Sequence, residues 1–305
     1  MNKGLPNLSA SPQFAAAFDA VPRTITKPEF LLFQNLIHKE AGIWLTPAKT
    51  ALLIGRLARR LRLHRLKSFK QYYRLVVDSQ EERVRMLDAI TTNETHFFRE
   101  PRHFEWLQTD VFPDWLARAE TGSPRLIRVW SAGCSSGEEP YSLAMVLLHR
   151  FRSRGWRIEI QATDISTRIL EIARRGIRPA EKAHEIPREF LKAFMLRGFG
   201  DHVDEIRAGP EIRSVVSFSR LNLNDPSYPL IGKFDLIFCR NVLIYFDLAT
   251  RERIVRRMLN HLRPDGYLFL GHAESLPTMK DKVRAIFPTV YEFNDRPGHT
   301  YGSRD

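Results

Sequence analysis

Residues 126–141 read LIRVWSAGCSSGEEPY, and this stretch decides the fold. Ile127, Val129 and Trp130 give its first half the β-branched and aromatic character of a strand. A turn rich in Gly and Ser follows and opens into SLAMVLLHR, whose apolar spacing is helical. Strand, glycine turn and helix place bare backbone N–H groups and a positive helix end beside a ligand. Gly133 and Gly137 lack a Cβ and permit close approach. Glu138 and Glu139 come next. They disfavour a phosphate and suit a ligand offering hydroxyls, an amine or a positive charge.

Asp164 stands 27 residues after Gly137, closing the strand pattern WRIEIQATD just before the helical ISTRILEIARRG. An acidic residue ending the second strand of an α/β unit is placed to accept hydrogen bonds from ribose hydroxyls. The same residue type is also a favoured helix N-cap, and both readings stay open at this point. Gly133-Cys134-Ser135-Ser136-Gly137 also fits G-x-S-x-G, the nucleophile elbow of α/β-hydrolases. A triad of Ser135, Asp235 (or Asp247) and His272 can be drawn. Against it, the chain before residue 125 reads as helical where that fold has strands, and no HGGG-like oxyanion segment is present.

The chain has 305 residues, enough for one large domain or two modest ones with a sizeable core. Cys134 and Cys239 are its only cysteines, which implies no disulfide framework and fits a reducing compartment. No apolar run approaches the roughly 18 residues of a membrane span. Residues 1–26 hold three Pro and no unbroken apolar run, so they read as a flexible tail rather than a signal peptide. A soluble, cytoplasmic protein is the expectation. The net charge is +12, and residues 1–90 carry 15 Lys/Arg against 7 Asp/Glu, which is +8 of it. Residues 49–74 hold nine basic side chains and no acidic one.

From Pro28 to Thr92 the pattern is helical. EFLLFQNLIHKEAG ends at Gly42, a C-cap residue. Thr46-Pro47 begins AKTALLIGRLARRLRLHRL, a cap followed by Pro at the first helical position. SFKQYYRLVVD and EERVRMLDAITT add two shorter helices, and PRHFEWLQTDVFPDWLARA leads to residue 125. In the helix at 47–66, Leu53, Leu57 and Leu61 form one face. Lys49, Arg56, Arg59, Arg60 and Arg62 fall on the other, with no acid nearby in sequence, so this face reads as a docking surface for an acidic partner. Beyond 125, strands alternate with helices, which predicts a parallel sheet covered on both faces. The strands are expected at 126–131, 157–163, 214–219, 234–239, 266–271 and 288–293. RGFGDHVDEIRAGPEIRSVVSF (197–218, extending to 219) reads as short strands joined by Gly turns, a small antiparallel insertion. The domains expected are thus a helical one over 27–92 and an α/β one over 93–295, followed by a tail over 296–305.

Four further segments line up with the glycine turn: TTNETHFFRE (91–100), SRLNLND (219–225), FDLIFCRNVLIYF (234–246) and PDGYLFLGHAES (264–275). Together with SAGCSSGEEPYSLAM and ATDIS they resemble the CheR family of chemotaxis receptor methyltransferases over residues 28 to about 293. The combination NxTxFFRE, GEEPYS and CRNVLIYF is specific where no single piece is. The resemblance implies a Rossmann-like α/β sheet behind an all-helical N-terminal domain. It implies methyl transfer from S-adenosylmethionine to receptor glutamates, with S-adenosylhomocysteine as product and no metal. It further implies cofactor contacts from Asn93, Thr95, Arg99, Glu138, Asp164, Asn222, Leu223, Arg240 and Asn241.

In that reading Asp164 serves the ribose, Asn222 and Leu223 the adenine edge, and Glu138 the cationic methionine end. Arg99 pairs with the cofactor or grips the incoming carboxylate, and Tyr245 stands near the methyl group; these two are the candidate catalytic residues. Arg240 could instead tie strand ends together. The partners implied are the glutamate-rich cytoplasmic helices of a methyl-accepting receptor, met by a monomeric enzyme. The 197–219 insertion either takes a receptor C-terminal peptide by strand addition or merely covers the site. A glutamate is already ionised at neutral pH, so the reaction asks for alignment and water exclusion rather than a base. Two other classes compete with this reading. A binding module without transfer is opposed by the intact motif set. Nucleic-acid methylation, prompted by the basic N-terminal half, is opposed by the lack of an NPPY-like motif and of an aromatic-rich basic groove.

Overall fold

The computed structural model describes Pro22 and residues 24–122 and 124–295, so the expected tails lie almost wholly outside the described residues. The chain divides into two compact units, residues 1–40 with 44–91 and residues 41–43 with 92–305.

The first unit is built from α1 (Lys27–Ala41), α2 (Thr50–Leu63), α3 (Phe69–Asp78) and α4 (Gln80–Ile90). Ser68 and Ser79 cap α3 and α4, their hydroxyls accepting from Gln71 N–H and Glu82 N–H. The expected start at Thr46-Pro47 is a 3₁₀ turn, Pro47–Lys49, and α2 proper begins at Thr50. Leu53, Leu57 and Leu61 are fully buried, as their spacing requires, with Phe33, Ile37, Phe69, Tyr72 and Val76.

One sequence expectation is corrected here. Arg60 is not part of an unpaired basic face, because its guanidinium forms an ion pair with the buried Glu82. Tyr72 Oη donates to the same carboxylate at 2.7 Å and His64 Nε2 lies 2.9 Å from it. Burial alone would raise the Glu82 carboxyl, but the bonds from Arg60, Tyr72 and His64 outweigh it and hold it below its ordinary value. Arg56 also turns inward, donating to the carbonyls of Ala89 and Thr91. Arg59 and Arg62 remain exposed. The acid that pairs with Arg60 lies 22 positions away, beyond the reach of a local count of charges.

The second unit starts with α5 (Pro101–Trp106), a π turn (Leu107–Val111) and α6 (Phe112–Glu120). Sequence periodicity reads these as one helix. Pro113 lacks an N–H and crowds the carbonyl four residues back, so the ladder widens just before it. A seven-stranded sheet follows, made of β1 (Leu126–Ala132), β2 (Arg157–Asp164), β6 (Val216–Arg220), β7 (Phe234–Cys239), β8 (Leu262–Leu270), β9 (Val283–Phe287) and β10 (Val290–Phe293). Its order is β6-β2-β1-β7-β8-β10-β9. The first five are parallel, while β10 runs antiparallel to β8 and β9. The expected final strand at 288–293 is β10, which forms a hairpin with the unexpected β9, turned at Pro288-Thr289, and the sheet is mixed rather than wholly parallel.

Alternate residues feed two cores. Val129, Leu236, Phe238 and Phe269 pack with α7 (Glu138–Phe151) on one face. Trp130, Ile237, Cys239 and Leu268 pack with α11 (Leu248–Leu259) on the other. That alternation with apolar residues on both sides is the mark of a central strand covered twice.

A separate three-stranded antiparallel sheet joins β3 (Ile177–Pro179), β4 (Met195–Arg197) and β5 (Glu205–Ala208) in the order β3-β5-β4. It begins 20 residues before the insertion expected at 197–219, because β3 is only three residues long and carries no readable period. The end of the expected segment is not part of it. Pro210–Ser214 is a short helix, α10, and Val216–Arg220 belongs to the main sheet. The remaining helices are α8 (Thr167–Arg175) and α9 (Arg188–Phe194). No helix among the described residues is long and apolar enough to cross a membrane.

Candidate functional site

The parallel strands β6, β2, β1 and β7 end side by side at one edge of the sheet. From β1 the chain passes to β2 on one side, and β7 lies on the other, so a crevice opens at the carboxyl ends where the order reverses. The turn at 133–137 sits in this crevice.

The glycines there are conformational requirements. Gly133 has φ +78°, and a Cβ on it would lie 2.4 Å from Val242 Cγ2. Gly137, the N-cap of α7, has φ +105°. The N–H groups of Gly133 and Cys134 both donate to Thr163 O, at 2.8 and 2.9 Å. Next to them the buried Asp164 accepts from Ser135 N–H and Ser166 N–H, each at 2.9 Å. The cap of α8 is Ser166, whose Oγ accepts from Ile169 N–H, so Asp164 is not spent on capping. These two bonds fix the direction of its carboxylate. Ser135 Oγ donates to Asn93 O at 2.8 Å, which brings the 93–99 segment, with half-buried Asn93, Thr95 and Arg99, to the same turn. The Arg99 guanidinium donates to Glu94 O at 3.3 Å.

Both turn carboxylates are paired with cations. Glu139 accepts from Ser131 Oγ and from Arg240 Nε, each at 2.7 Å. Glu138, 3% exposed, accepts from Ser136 Oγ at 2.6 Å and pairs with Arg178 Nε at 2.5 Å. Arg178 carries no sequence signal of its own.

Arg240 and Asn241 follow β7. Besides Glu139, the buried Arg240 reaches Arg99 O at 2.5 Å and stands 3.6 Å from Glu100 and 3.4 Å from His103 Nδ1. It therefore ties β7, α7 and the 99–103 segment together. Asn241 adopts φ +60°; its Nδ2 points at Glu100 Oε1 at 3.4 Å, and its Oδ1 is buried without a hydrogen-bond partner. A buried acceptor without a protein partner fits a ligand that offers a hydroxyl or amine donor. Asn222 and Leu223, both buried, come just after β6, where Leu221 N–H donates to Asp164 O at 3.0 Å. Tyr245 is half-buried on the 3₁₀ turn Leu243–Tyr245 beyond Asn241.

Glu100, His103 and His272 bring donor atoms within 4.8 Å of one another. The guanidinium of Arg240 already supplies positive charge at two of the three. Burial, aided by Arg240, pushes His103 down to about 4, so its ring is neutral at ordinary pH. Burial also pushes the Cys134 and Cys239 thiols up, so neither is a nucleophile. The hydrolase triad is not assembled. Ser135 follows the end of β1, whereas Asp235 lies at the start of β7 and accepts from Arg128 N–H at 2.8 Å.

Residues 93–291 match the family model described as the CheR methyltransferase S-adenosylmethionine-binding domain, and residues 28–91 match the CheR all-alpha domain. Chemotaxis protein methyltransferase 2 of Pseudomonas aeruginosa is 39% identical over 266 residues, 87% of this chain and 93% of the relative. The chemotaxis protein methyltransferase of Escherichia coli is 38% identical over 88% of this chain and 91% of the relative. That of Borreliella burgdorferi is 36% identical over 88% and 95%. With matches spanning both units and nearly the full length of these relatives, the chain belongs to the CheR family of chemotaxis protein methyltransferases.

Proposed function

We propose that the protein is a protein-glutamate O-methyltransferase. It moves methyl from S-adenosylmethionine to side-chain carboxylates on the cytoplasmic helices of methyl-accepting chemotaxis receptors, forming methyl esters and S-adenosylhomocysteine in sensory adaptation. The observation that carries the reading is the convergence of Asn93, Asp164 and Ser135 through two hydrogen bonds at the carboxyl edge of the sheet. Asp164 orients the ribose and Asn241 Oδ1 takes a donor of the cofactor. Asn222 and Leu223 border the adenine. Glu138 neutralises charge at the methionine end through a carboxylate already shaped by Arg178. The bound cofactor supplies an activated methyl carbon.

Chain residues then align and desolvate the acceptor. Arg99 offers a planar guanidinium to a carboxylate, and Tyr245 closes the site from the 243–245 turn. No metal has a part in this scheme, and the enzyme works as a cytoplasmic monomer. Receptor helices rich in glutamate dock on exposed Arg59 and Arg62 of α2. Strand β4 is an edge of the small sheet, with Leu196 52% and nearby Phe199 87% exposed. Such an edge suits addition of a receptor-tail peptide.

Labelled methyl from the cofactor should appear in purified receptor cytoplasmic fragments as a base-labile ester, and not in RNA or DNA. Absence of label from receptor fragments in the presence of bound cofactor would overturn the substrate assignment.

A further inference from the structure

The small sheet reaches the cofactor turn through one buried side chain. Arg178 lies on β3, paired in register with Ile206 of β5, and is only 5% exposed. Its Nε contacts Glu138 Oε1 at 2.5 Å, one terminal nitrogen donates to Ser136 O, and the other donates to Ile177 O at 2.6 Å. A single guanidinium therefore holds both residues flanking Gly137.

That placement matters because of what Gly137 is. A glycine in the left-handed region, at φ +105°, has no side chain to limit its neighbours' peptide planes. Residues 135–138 set where the N–H groups and the end of α7 face the crevice. A planar fork of donors holds a carboxylate and a carbonyl at once in a fixed mutual geometry, which the freely rotating ammonium of a lysine does not impose. Burying an ion pair is a poor way to gain stability, since an apolar pair of similar volume often does as well.

We infer that Arg178 is a positioning residue: it sets the cofactor turn through Ser136 and Glu138, and so makes cofactor affinity depend on how the small sheet is seated. The inference rests on the turn being the S-adenosylmethionine site. Anything that shifts β3, including a strand added to the small sheet, is transmitted to the turn by this side chain rather than through the main sheet.

The test is calorimetry with S-adenosylhomocysteine on the full chain, with amide exchange at 135–138 followed in parallel. Arg178→Met leaves Glu138 unpaired, so the neutral double variant Arg178→Met/Glu138→Gln is measured beside it to keep the fold, with Glu138→Gln alone as its reference because Glu138 itself faces the cofactor in the proposed reading. Loss of a buried charged partner corresponds to about a tenfold or larger weakening of binding in Arg178→Met relative to the parent and in the double variant relative to Glu138→Gln. Exchange at 135–138 should accelerate while that of β1 and β7 stays as in the parent. Arg178→Lys, which keeps the charge but not the fork, should fall between. Affinity of the folded double variant within about twofold of Glu138→Gln, or unchanged exchange at the turn, overturns the inference while leaving the cofactor reading intact. Failure of the parent chain to bind S-adenosylhomocysteine overturns both.

Discussion

The backbone N–H of Asn241 donates to Glu274 Oε2 at 2.9 Å, and that carboxylate, 2% exposed, holds two loops at once. Oε2 also accepts from Gly271 N–H at 2.7 Å and Oε1 from Ile244 N–H at 3.2 Å. Burial raises the Glu274 carboxyl above its ordinary value even though the backbone donors of Gly271, Asn241, Ile244 and Leu243 oppose it. The loop carrying Asn241 and Tyr245 is thus stapled to the end of β8. Glu274→Ala should strand these donors and cost about 3 kcal/mol or more. A fall of roughly 6–12 °C in melting temperature follows for a unit of this size. Turnover should drop with it. An unaltered melt would show that the loop holds itself without the carboxylate.

Asp164→Ala removes the acceptor of Ser135 N–H and, in the proposed reading, of two ribose hydroxyls. Affinity for S-adenosylhomocysteine should fall by on the order of 1.5–3 kcal/mol. Calorimetry reads this directly, and unchanged affinity would strip Asp164 of its assignment.

Arg59 and Arg62 are exposed on α2, whereas Arg60 is paired with Glu82, so neighbours in sequence should behave differently. Charge reversal at Arg59 and Arg62 should raise the receptor KM without touching cofactor affinity. Added salt should mimic it, because exposed charges are screened beyond about 8–10 Å. Arg60→Glu should instead destabilise the helical unit, by up to about 3 kcal/mol given its partial exposure. Equal effects of all three on receptor KM, with no change in melting, would erase the distinction.

His103 gives a pH signature. Its folded value is about 4 against an ordinary 6.5. Above 6.5 the ring is neutral in both states and contributes nothing. As pH falls from 6.5 toward 4, the unfolded chain takes up a proton that the folded chain refuses, so stability declines, by roughly 3 kcal/mol across the full window. Urea melts between pH 6.5 and 5 read this decline together with that of His261, which burial also lowers. His103→Gln should make it shallower; the same slope in that variant would assign the decline to another group.

Local pattern alone was enough for the strand–turn–helix at 126–151, for Asp164 at a strand end, for Gly42 closing α1, and for the buried Leu53, Leu57 and Leu61 stripe. Each is written in adjacent residues, where period and cap chemistry act within one or two turns. Tertiary structure decided the rest. It placed β3 and β9, which are too short to show a period. It chose Glu82 for Arg60 and Arg178 for Glu138, 22 and 40 positions apart. A buried carboxylate must find a cation or donors to offset its lost hydration, and which one it finds depends on what the packing brings within reach. No spacing along the chain encodes that choice.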